Sequence, residues 1–171
     1  GMRLSEAINL EWADVKLDAL DHAGKTVGEI HVRSSATKTR KARTVGLEVS
    51  PMLRKLLAAQ RLRTGGQGYV FAVTEGTAKR AKARLLDEYG APEGFTWQAL
   101  RATCATYLCN SPGIFGSAAP FMESRQLGHS VTLAERDYVG LIRGIDPKLR
   151  TLEDAMQIKK QLAALVKGAS K

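Results

Sequence analysis

Four short segments of the chain carry side chains that could bind a phosphate or transfer one. In the first, GMRLSE, Arg3 and Glu6 lie one helical turn apart, so the carboxylate could hold the guanidinium in place. The second, residues 37–43, reads TKTRKAR, and its long basic side chains can reach beyond a hairpin to a bound phosphate. Taken alone, the first segment is typical of a surface ion pair and the second of a solvated basic turn.

The other two segments add an anion-binding helix face and a pairing of histidine with tyrosine. The sequence WQALRATCAT places Gln98 and Arg101 on one helix face, where both could contact a single anion. The sequence QLGHSVTLAERDY places His129 at a break between two predicted helices and Tyr138 nine residues later. A polar helix face, a capping histidine and a buried structural tyrosine would also explain these residues one by one.

Net charge favours a polyanion as the partner. The chain has 26 Lys and Arg against 17 Asp and Glu, a formal charge of +9, and each phosphate that such a surface neutralises on DNA releases condensed counterions. A basic chain can also arise by sequence drift or serve to bind an acidic protein. The charge therefore raises the case for nucleic acid without deciding it.

Composition excludes several classes of protein. No apolar run approaches the roughly 18–20 residues that span a bilayer, and the first residues lack the apolar core of a signal peptide. Cys104 and Cys109 have neither the spacing of a metal site nor that of a disulfide framework, which indicates a reducing, cytoplasmic setting. With 171 residues and 44% hydrophobic residues, the chain is predicted to fold as about one domain.

Periodicity predicts a mainly helical fold with a small antiparallel sheet. Apolar spacing predicts a helix over residues 4–15, and two alternating stretches predict strands over 26–33 and 43–49 that are joined by the basic hairpin loop. Ser50 and Pro51 begin a predicted helix that ends at Gly65.

The second half of the chain is predicted to be helical apart from one strand and one loop. Further helices are predicted over 77–89, 96–108, 121–127 and 147–167, with one more that begins at Thr132 through a capping box. A short strand is predicted over 69–73 and a loop over 110–120. In the helix over 96–108, the predicted buried face consists of Trp97, Leu100, Cys104 and Leu108.

Taken in order, the four segments resemble the tyrosine recombinases, the family of phage integrases and chromosome-dimer-resolving recombinases. GMRLSE matches the family pattern T-G-hydrophobic-R-x-x-E, and KTRKARTVGL matches K-x-x-K-x-R-x-V-P-L except for Gly46 in place of proline. QALRATCAT resembles H-x-L-R-H-T-x-A-T, and LGHS with a tyrosine nine residues after the histidine matches the family's final motif. The resemblance covers residues 1 to about 140.

The resemblance implies site-specific DNA recombination or integration through a covalent 3′-phosphotyrosyl intermediate, without metal, ATP or another cofactor. Tyr138 would be the nucleophile, although a phenol with a pKa of about 10 needs activation at neutral pH. Arg3 and Arg101 would clamp the nonbridging oxygens, since guanidinium matches phosphate geometry and stays charged. His129 would donate a further hydrogen bond to the phosphate, and Glu6 would support Arg3.

The hairpin would supply the acid and further DNA contacts. In the family's pattern Lys38 would protonate the departing 5′ oxygen, and Lys41 is the alternative because hairpin registers slip easily. Arg40, Lys41 and Arg43 would bind DNA. Gln98 stands where the family usually has a catalytic histidine, and an amide can bind a phosphate but cannot exchange a proton. Ala102 likewise replaces a common histidine.

Domain organisation and partners follow from the same resemblance. Family members carry a DNA-clamping domain and several helices before the first arginine, so residues 1–146 are expected to be a catalytic domain without its N-terminal helices. Residues 147–171 would be a C-terminal helical tail that can be exchanged between protomers. The expected partners are double-stranded DNA and further copies of the chain, which would form a tetramer on DNA. The expected location is the nucleoid, and a phage or another mobile element is the expected source. No membrane and no nucleotide cofactor are expected.

Two other functions remain open from the sequence. The first is a decayed integrase that binds DNA without cutting it, which Gln98 and the missing helices favour. The second is a type IB topoisomerase-like activity, which uses the same nucleophile to relax DNA supercoils but does not pair two DNA sites.

Overall fold

Three short antiparallel strands form the sheet of the protein. The computed structural model describes residues 1–37 and 40–169, in which β1 (Val15–Lys16), β2 (Glu29–Val32) and β3 (Arg43–Gly46) lie side by side in that order. Within β2, Ile30 and Val32 are buried while the intervening His31 is exposed. The two predicted strands are thus confirmed in shorter form, and β1 is an addition that the sequence did not predict.

The first helix is much shorter than its apolar spacing predicted. α1 (Leu4–Ile8) ends one residue before Asn9, and a 3-10 turn follows over Trp12–Asp14. The Trp12 N–H donates to the Gly68 carbonyl at 2.9 Å, and the Leu10 carbonyl accepts from the Val70 N–H at 2.8 Å. These long-range backbone bonds extend the chain where a helix was predicted, so that prediction is wrong beyond Ile8.

Two helices follow the sheet at the positions that local sequence rules gave. α2 (Pro51–Thr64) starts with proline in its first turn and ends at Gly65, whose φ of 71° is left-handed. α3 (Glu75–Asp87) is capped by the Thr74 hydroxyl and starts two residues earlier than predicted. The predicted strand over 69–73 is wrong: Tyr69 forms a single bridge with Glu11, and the segment forms no named strand.

The next helix buries a different face from the one predicted. α4 (Trp97–Asn110) is capped by the Thr96 hydroxyl, and its buried residues are Arg101, Ala105 and Leu108. Leu100, a member of the predicted buried face, is 53% exposed. Leu108 of the predicted face is buried as expected, and Arg101 is buried beside it with its guanidinium bonded to backbone carbonyls of other segments.

The predicted loop after α4 is largely helical. α5 (Pro112–Phe115) and a 3-10 turn over Gly116–Ala118 lead directly into α6 (Ala119–Leu127), which ends at Gly128 with a φ of 76°. α7 (Val131–Asp137) follows, capped by the Ser130 hydroxyl rather than by Thr132. Tyr138 is the residue immediately after α7.

The C-terminal segment contains two helices instead of one. α8 (Leu152–Ala155) and α9 (Lys159–Ala169) are separated at Gln157, whose φ of 58° interrupts a helix. Glu153 of α8 is buried and accepts from the Met52 N–H at 2.9 Å, and α9 packs on α2. The tail thus contacts its own chain, and exchange between protomers stays a prediction.

Two apolar clusters hold these elements together. The first joins the sheet to α2 and includes Trp12, Ile30 and Leu57; the second joins α4 to α6 and includes Leu108 and Leu127. Across residues 1–37 and 40–169, none of the helices has the length and apolar character needed to cross a bilayer.

Candidate active site

A buried carboxylate gathers two of the predicted basic residues. Glu6 accepts the backbone N–H of Arg3 at 2.8 Å and its Nη1 at 3.1 Å, and it accepts Nη1 and Nη2 of Arg43 at 3.0 and 2.6 Å. Burial alone would raise the pKa of this carboxyl. The bonds from Arg43 and Arg3 outweigh burial, so the pKa of Glu6 lies below its ordinary value. Glu6 therefore bonds to both Arg3 and Arg43.

Arg43, which the sequence assigns to DNA binding, directs its guanidinium toward buried partners. Its Nε donates to the Gln126 carbonyl at 3.0 Å while both Nη atoms bond to Glu6, and its side chain is 9% exposed. Its stem lies on Gly128, where a Cβ atom would come within 2.8 Å of the Arg43 Cδ. Arg43 thus ties β3 to α1 and α6, and its contact with DNA stays a prediction.

Arg101 lies in the interior beside the same cluster. Its Nη1 donates to the Gly1 carbonyl and its Nη2 to the Leu127 carbonyl, both at 2.7 Å, and the residue is 3% exposed. Because Leu127 ends α6, a cation here meets the negative end of a helix dipole. Burial, followed by the charge of Arg3, lowers the pKa of Arg101 from its ordinary value. The two predicted clamping arginines thus lie near enough for the charge of Arg3 to act on Arg101.

His129 and Tyr138 lie side by side. Their ring centroids are 5.8 Å apart, with His129 in the connection between α6 and α7 and Tyr138 at the end of α7. Burial and the charge of Glu123 raise the pKa of the Tyr138 phenol, whereas the Arg101 charge lowers it. The charge of Arg101 thus favours the phenolate form of Tyr138, which is the form that a nucleophile needs.

Asn110, the last residue of α4, fixes the backbone around Tyr138. Its side-chain Nδ2 donates to the Tyr138 carbonyl at 2.6 Å, and its Oδ1 accepts the Gly140 N–H at 2.7 Å. No sequence motif pointed to Asn110, because its partners lie about thirty residues further along the chain.

Glu123 is a second residue that the sequence did not reveal. Its carboxyl is wholly buried, and Oε1 lies 2.9 Å from the Nε2 of His129. Burial raises its pKa, with His129 opposing that effect. Burial and Glu123 together raise the pKa of the Cys109 thiol to about 12, so this thiol stays protonated at neutral pH and is not a thiolate nucleophile.

A cationic groove of about 700 Å³ opens beside His129. The described residues that line it include no acidic side chain; its basic lining is His31, Lys41, Arg43, Arg125 and His129. A groove of this kind suits the sugar-phosphate backbone of DNA.

The remaining predicted residues are more scattered. Lys41 is exposed on the groove, and Arg40 is exposed in the hairpin loop with a φ of 52°. Lys38 lies outside the described residues, so the choice between Lys38 and Lys41 stays open. Gln98 is exposed on α4 and is not among the residues that line the groove. In the part of the chain that the structure describes, no group of three or more His, Cys, Asp or Glu residues is arranged to hold a metal ion.

Comparison with known proteins identifies the family. The model of the phage integrase family matches residues 1–114, which is 114 of the 171 residues and includes Arg3, Gln98 and Arg101. His129 and Tyr138 lie beyond the matched range. Searches among curated proteins and solved structures found no match. The chain belongs to the phage integrase family.

Proposed function

We propose that this chain cuts and rejoins double-stranded DNA as a site-specific recombinase, with Tyr138 as the nucleophile. The position of His129 carries the proposal. This residue lines the cationic groove, and its ring also lies 5.8 Å from that of Tyr138. A DNA strand that binds in the groove would therefore come close to the tyrosine at the point where an imidazole can contact its phosphate.

The proposed reaction exchanges one phosphodiester bond for another. The Tyr138 phenol gives up its proton to solvent as its oxygen attacks the phosphorus, the bond to the 5′ oxygen breaks, and the leaving oxygen takes a proton from Lys38 or Lys41. A 5′-hydroxyl of a second strand then returns a proton to that lysine and attacks the phosphorus of the 3′-phosphotyrosyl ester, and the released Tyr138 oxygen regains a proton from solvent. The free energy of the phosphodiester is kept in the covalent bond, so the reaction needs no nucleotide cofactor.

Arg3 and Arg101 can stabilise the negative charge that the phosphate gains in the transition state. Each Nη atom of Arg101 carries a second N–H beyond the one given to a backbone carbonyl, so its charge and part of its donor set remain for a phosphate. Arg3 is paired with Glu6 through Nη1, and its side chain is 27% exposed. Guanidinium groups in these positions would form charge-assisted hydrogen bonds to the nonbridging oxygens.

A second candidate is a domain that binds DNA without cleaving it. The exposed amide of Gln98, in place of the family's histidine, favours this function because it offers no proton to the reaction.

A covalent-adduct assay tests the proposal. The purified chain is incubated with end-labelled random-sequence duplexes and with supercoiled plasmid, and the products are separated under denaturing conditions. We expect a labelled protein band with the wild-type chain and with Tyr107→Phe, a control at a half-buried tyrosine of α4, but none with Tyr138→Phe.

The other outcomes separate the alternatives. DNA binding without any adduct would favour the second candidate. Relaxation of the plasmid without recombinant products would indicate topoisomerase activity. An adduct that persists in Tyr138→Phe would contradict the assignment of the nucleophile.

A further inference from the structure

Glu123 is a buried acid with no role in the reaction described above. It lies on α6, its side chain is fully buried, and its Oε1 is 2.9 Å from Nε2 of His129. The imidazole side chain is itself only 8% exposed. A carboxyl in such a place is costly unless a partner compensates for the lost water, and His129 is that partner.

The contacts of His129 define where its protons lie. The Nδ1 atom is 3.1 Å from the backbone carbonyl of Ser130, which can only accept a hydrogen bond, so Nδ1 must carry a proton. The Nε2 atom faces the Glu123 carboxyl, and a hydrogen bond there requires one further proton, on either atom. In this geometry the pair holds two protons, one on Nδ1 and one between Nε2 and Oε1.

We propose that Glu123 is a positioning residue for His129. Glu123 holds the Nε2 side of the imidazole ring in the interior and leaves Nδ1–H as the donor that faces the groove. The contact of Nδ1 with Ser130 is on the exposed side of the ring, and His129 lines the groove. A DNA phosphate can therefore replace the Ser130 carbonyl as the acceptor. The catalytic meaning of this arrangement rests on the recombinase function proposed above.

The groups around Glu123 govern how the pair titrates. His129 faces it from the connection after α6, Cys109 and Arg101 from α4, and Tyr138 from the end of α7. Burial raises the pKa of Glu123, and His129, Arg101 and Cys109 act in the opposite direction. Once Glu123 is a carboxylate and the pair holds a single proton, the hydrogen bond to Glu123 keeps that proton on Nε2, and Nδ1 ceases to be a donor.

Two replacements of Glu123, by an amide and by an apolar side chain, should differ in whether Nδ1 of His129 keeps its proton. In Glu123→Gln the side-chain NH₂ can donate to Nε2, so a neutral ring keeps its proton on Nδ1 without any acid to titrate. In Glu123→Val nothing holds Nε2, so the ring can turn away from the Ser130 carbonyl and adopt either tautomer. The amide variant should therefore retain the outward donor and the valine variant should lose it.

The first test needs no DNA. Imidazole nitrogen NMR of the ¹⁵N-histidine-labelled chain reports which ring nitrogen carries the proton, with His129→Asn identifying the signal and the exposed His22 and His31 as internal references. We expect protonated Nδ1 at His129 in the wild-type chain and in Glu123→Gln, and the tautomer mixture of the references in Glu123→Val. Wild-type His129 that matches the references, or Glu123→Val that matches the wild type, would overturn the proposal.

The second test measures the rate of adduct formation across pH. We expect Glu123→Val to be roughly 10- to 100-fold slower, which is at or below the 10²- to 10⁴-fold that an acid–base group supplies. Glu123→Gln should be faster than Glu123→Val and should keep its rate to a higher pH than the wild type. Glu153→Gln, which neutralises a buried glutamate of α8, is the matched control and should follow the wild-type profile.

Superimposable profiles for the wild type and Glu123→Gln would contradict the proton assignment. If no chain forms an adduct, the recombinase function fails, and the NMR result still decides whether Glu123 positions His129.

Discussion

Glu6 and Arg43 form a bidentate ion pair in the interior, with Nη1–Oε1 and Nη2–Oε2 distances of 3.0 and 2.6 Å. The carboxylate side chain is fully buried, and that of the arginine is 9% exposed. Because Glu6 also holds Arg3, this pair joins the hairpin strand β3 to the N-terminus of α1, where Arg3 is the N-cap residue. A basic residue that the sequence assigned to DNA thus has a structural role.

The pair predicts a large loss of stability when one partner is removed. Arg43→Met leaves the buried carboxylate with Arg3 alone, and breaking a buried pair in this way costs about 3–5 kcal/mol of unfolding free energy. Urea denaturation measures the change. The control is Arg84→Met, because the Arg84–Glu88 pair is exposed and contributes little. Similar denaturation midpoints for both variants would show that the buried pair is unimportant.

The lowered pKa of Glu6 predicts a specific pH dependence. A carboxyl whose pKa is lowered in the folded chain stabilises the protein at pH values above its ordinary pKa of 4.5. This contribution is lost as the pH falls through the lowered pKa. We therefore expect the stability difference between the wild-type chain and Glu6→Gln to shrink as the pH falls below 4.5. Thermal melts over a series of acidic buffers measure it. A difference that stays constant would mean that Glu6 titrates alike in the folded and unfolded chains.

Local chemistry made part of the molecule predictable. Proline and glycine marked both ends of α2, and glycine marked the end of α6, because these residues act on the backbone next to them. The helix over 4–15 failed for the opposite reason: backbone bonds from residues 68–70 decide the conformation at Leu10 and Trp12. A sequence pattern carries no information about such distant partners.

The same distinction separates the site residues. Arg3, Arg101, His129 and Tyr138 stand in motifs, so their residue types and spacing are enough to single them out. The inward turn of Arg43 and the partnership of Glu123 with His129 arise where separate helices and strands meet. Glu123 lies in no motif, and the motif that contains Arg43 gives its residue type without showing which way its side chain points.

Asn110 is predicted to set the position of the nucleophile. Asn110→Asp keeps the acceptor for the Gly140 N–H but loses the donor to the Tyr138 carbonyl, whereas Asn110→Ala loses both. If Tyr138 attacks DNA, we expect slower adduct formation in both variants, by roughly 10-fold or more in Asn110→Ala because small misplacements are costly in catalysis.

DNA affinity provides the check on that prediction. Binding, measured by fluorescence anisotropy, should change little in the Asn110 variants because the side chain is half-buried and does not line the groove. Asn9→Ala is the control, since Asn9 also donates to a carbonyl but does so at the exposed end of α1. An Asn110→Ala chain with the wild-type rate would show that the hydrogen bonds do not position Tyr138.

The cationic groove predicts how binding responds to salt. Lys41→Ala and Arg125→Ala each remove one positive charge from the groove lining, so each should weaken binding to any duplex. The slope of log K against log salt concentration should fall by about 1 per residue that contacts a phosphate. Lys160→Ala, on the exposed surface of α9, is the matched control and should leave the slope unchanged. Equal slopes for the wild-type chain and the three variants would place the DNA elsewhere on the protein. Each phosphate contact that is lost leaves its counterions on the DNA, and the slope must then fall.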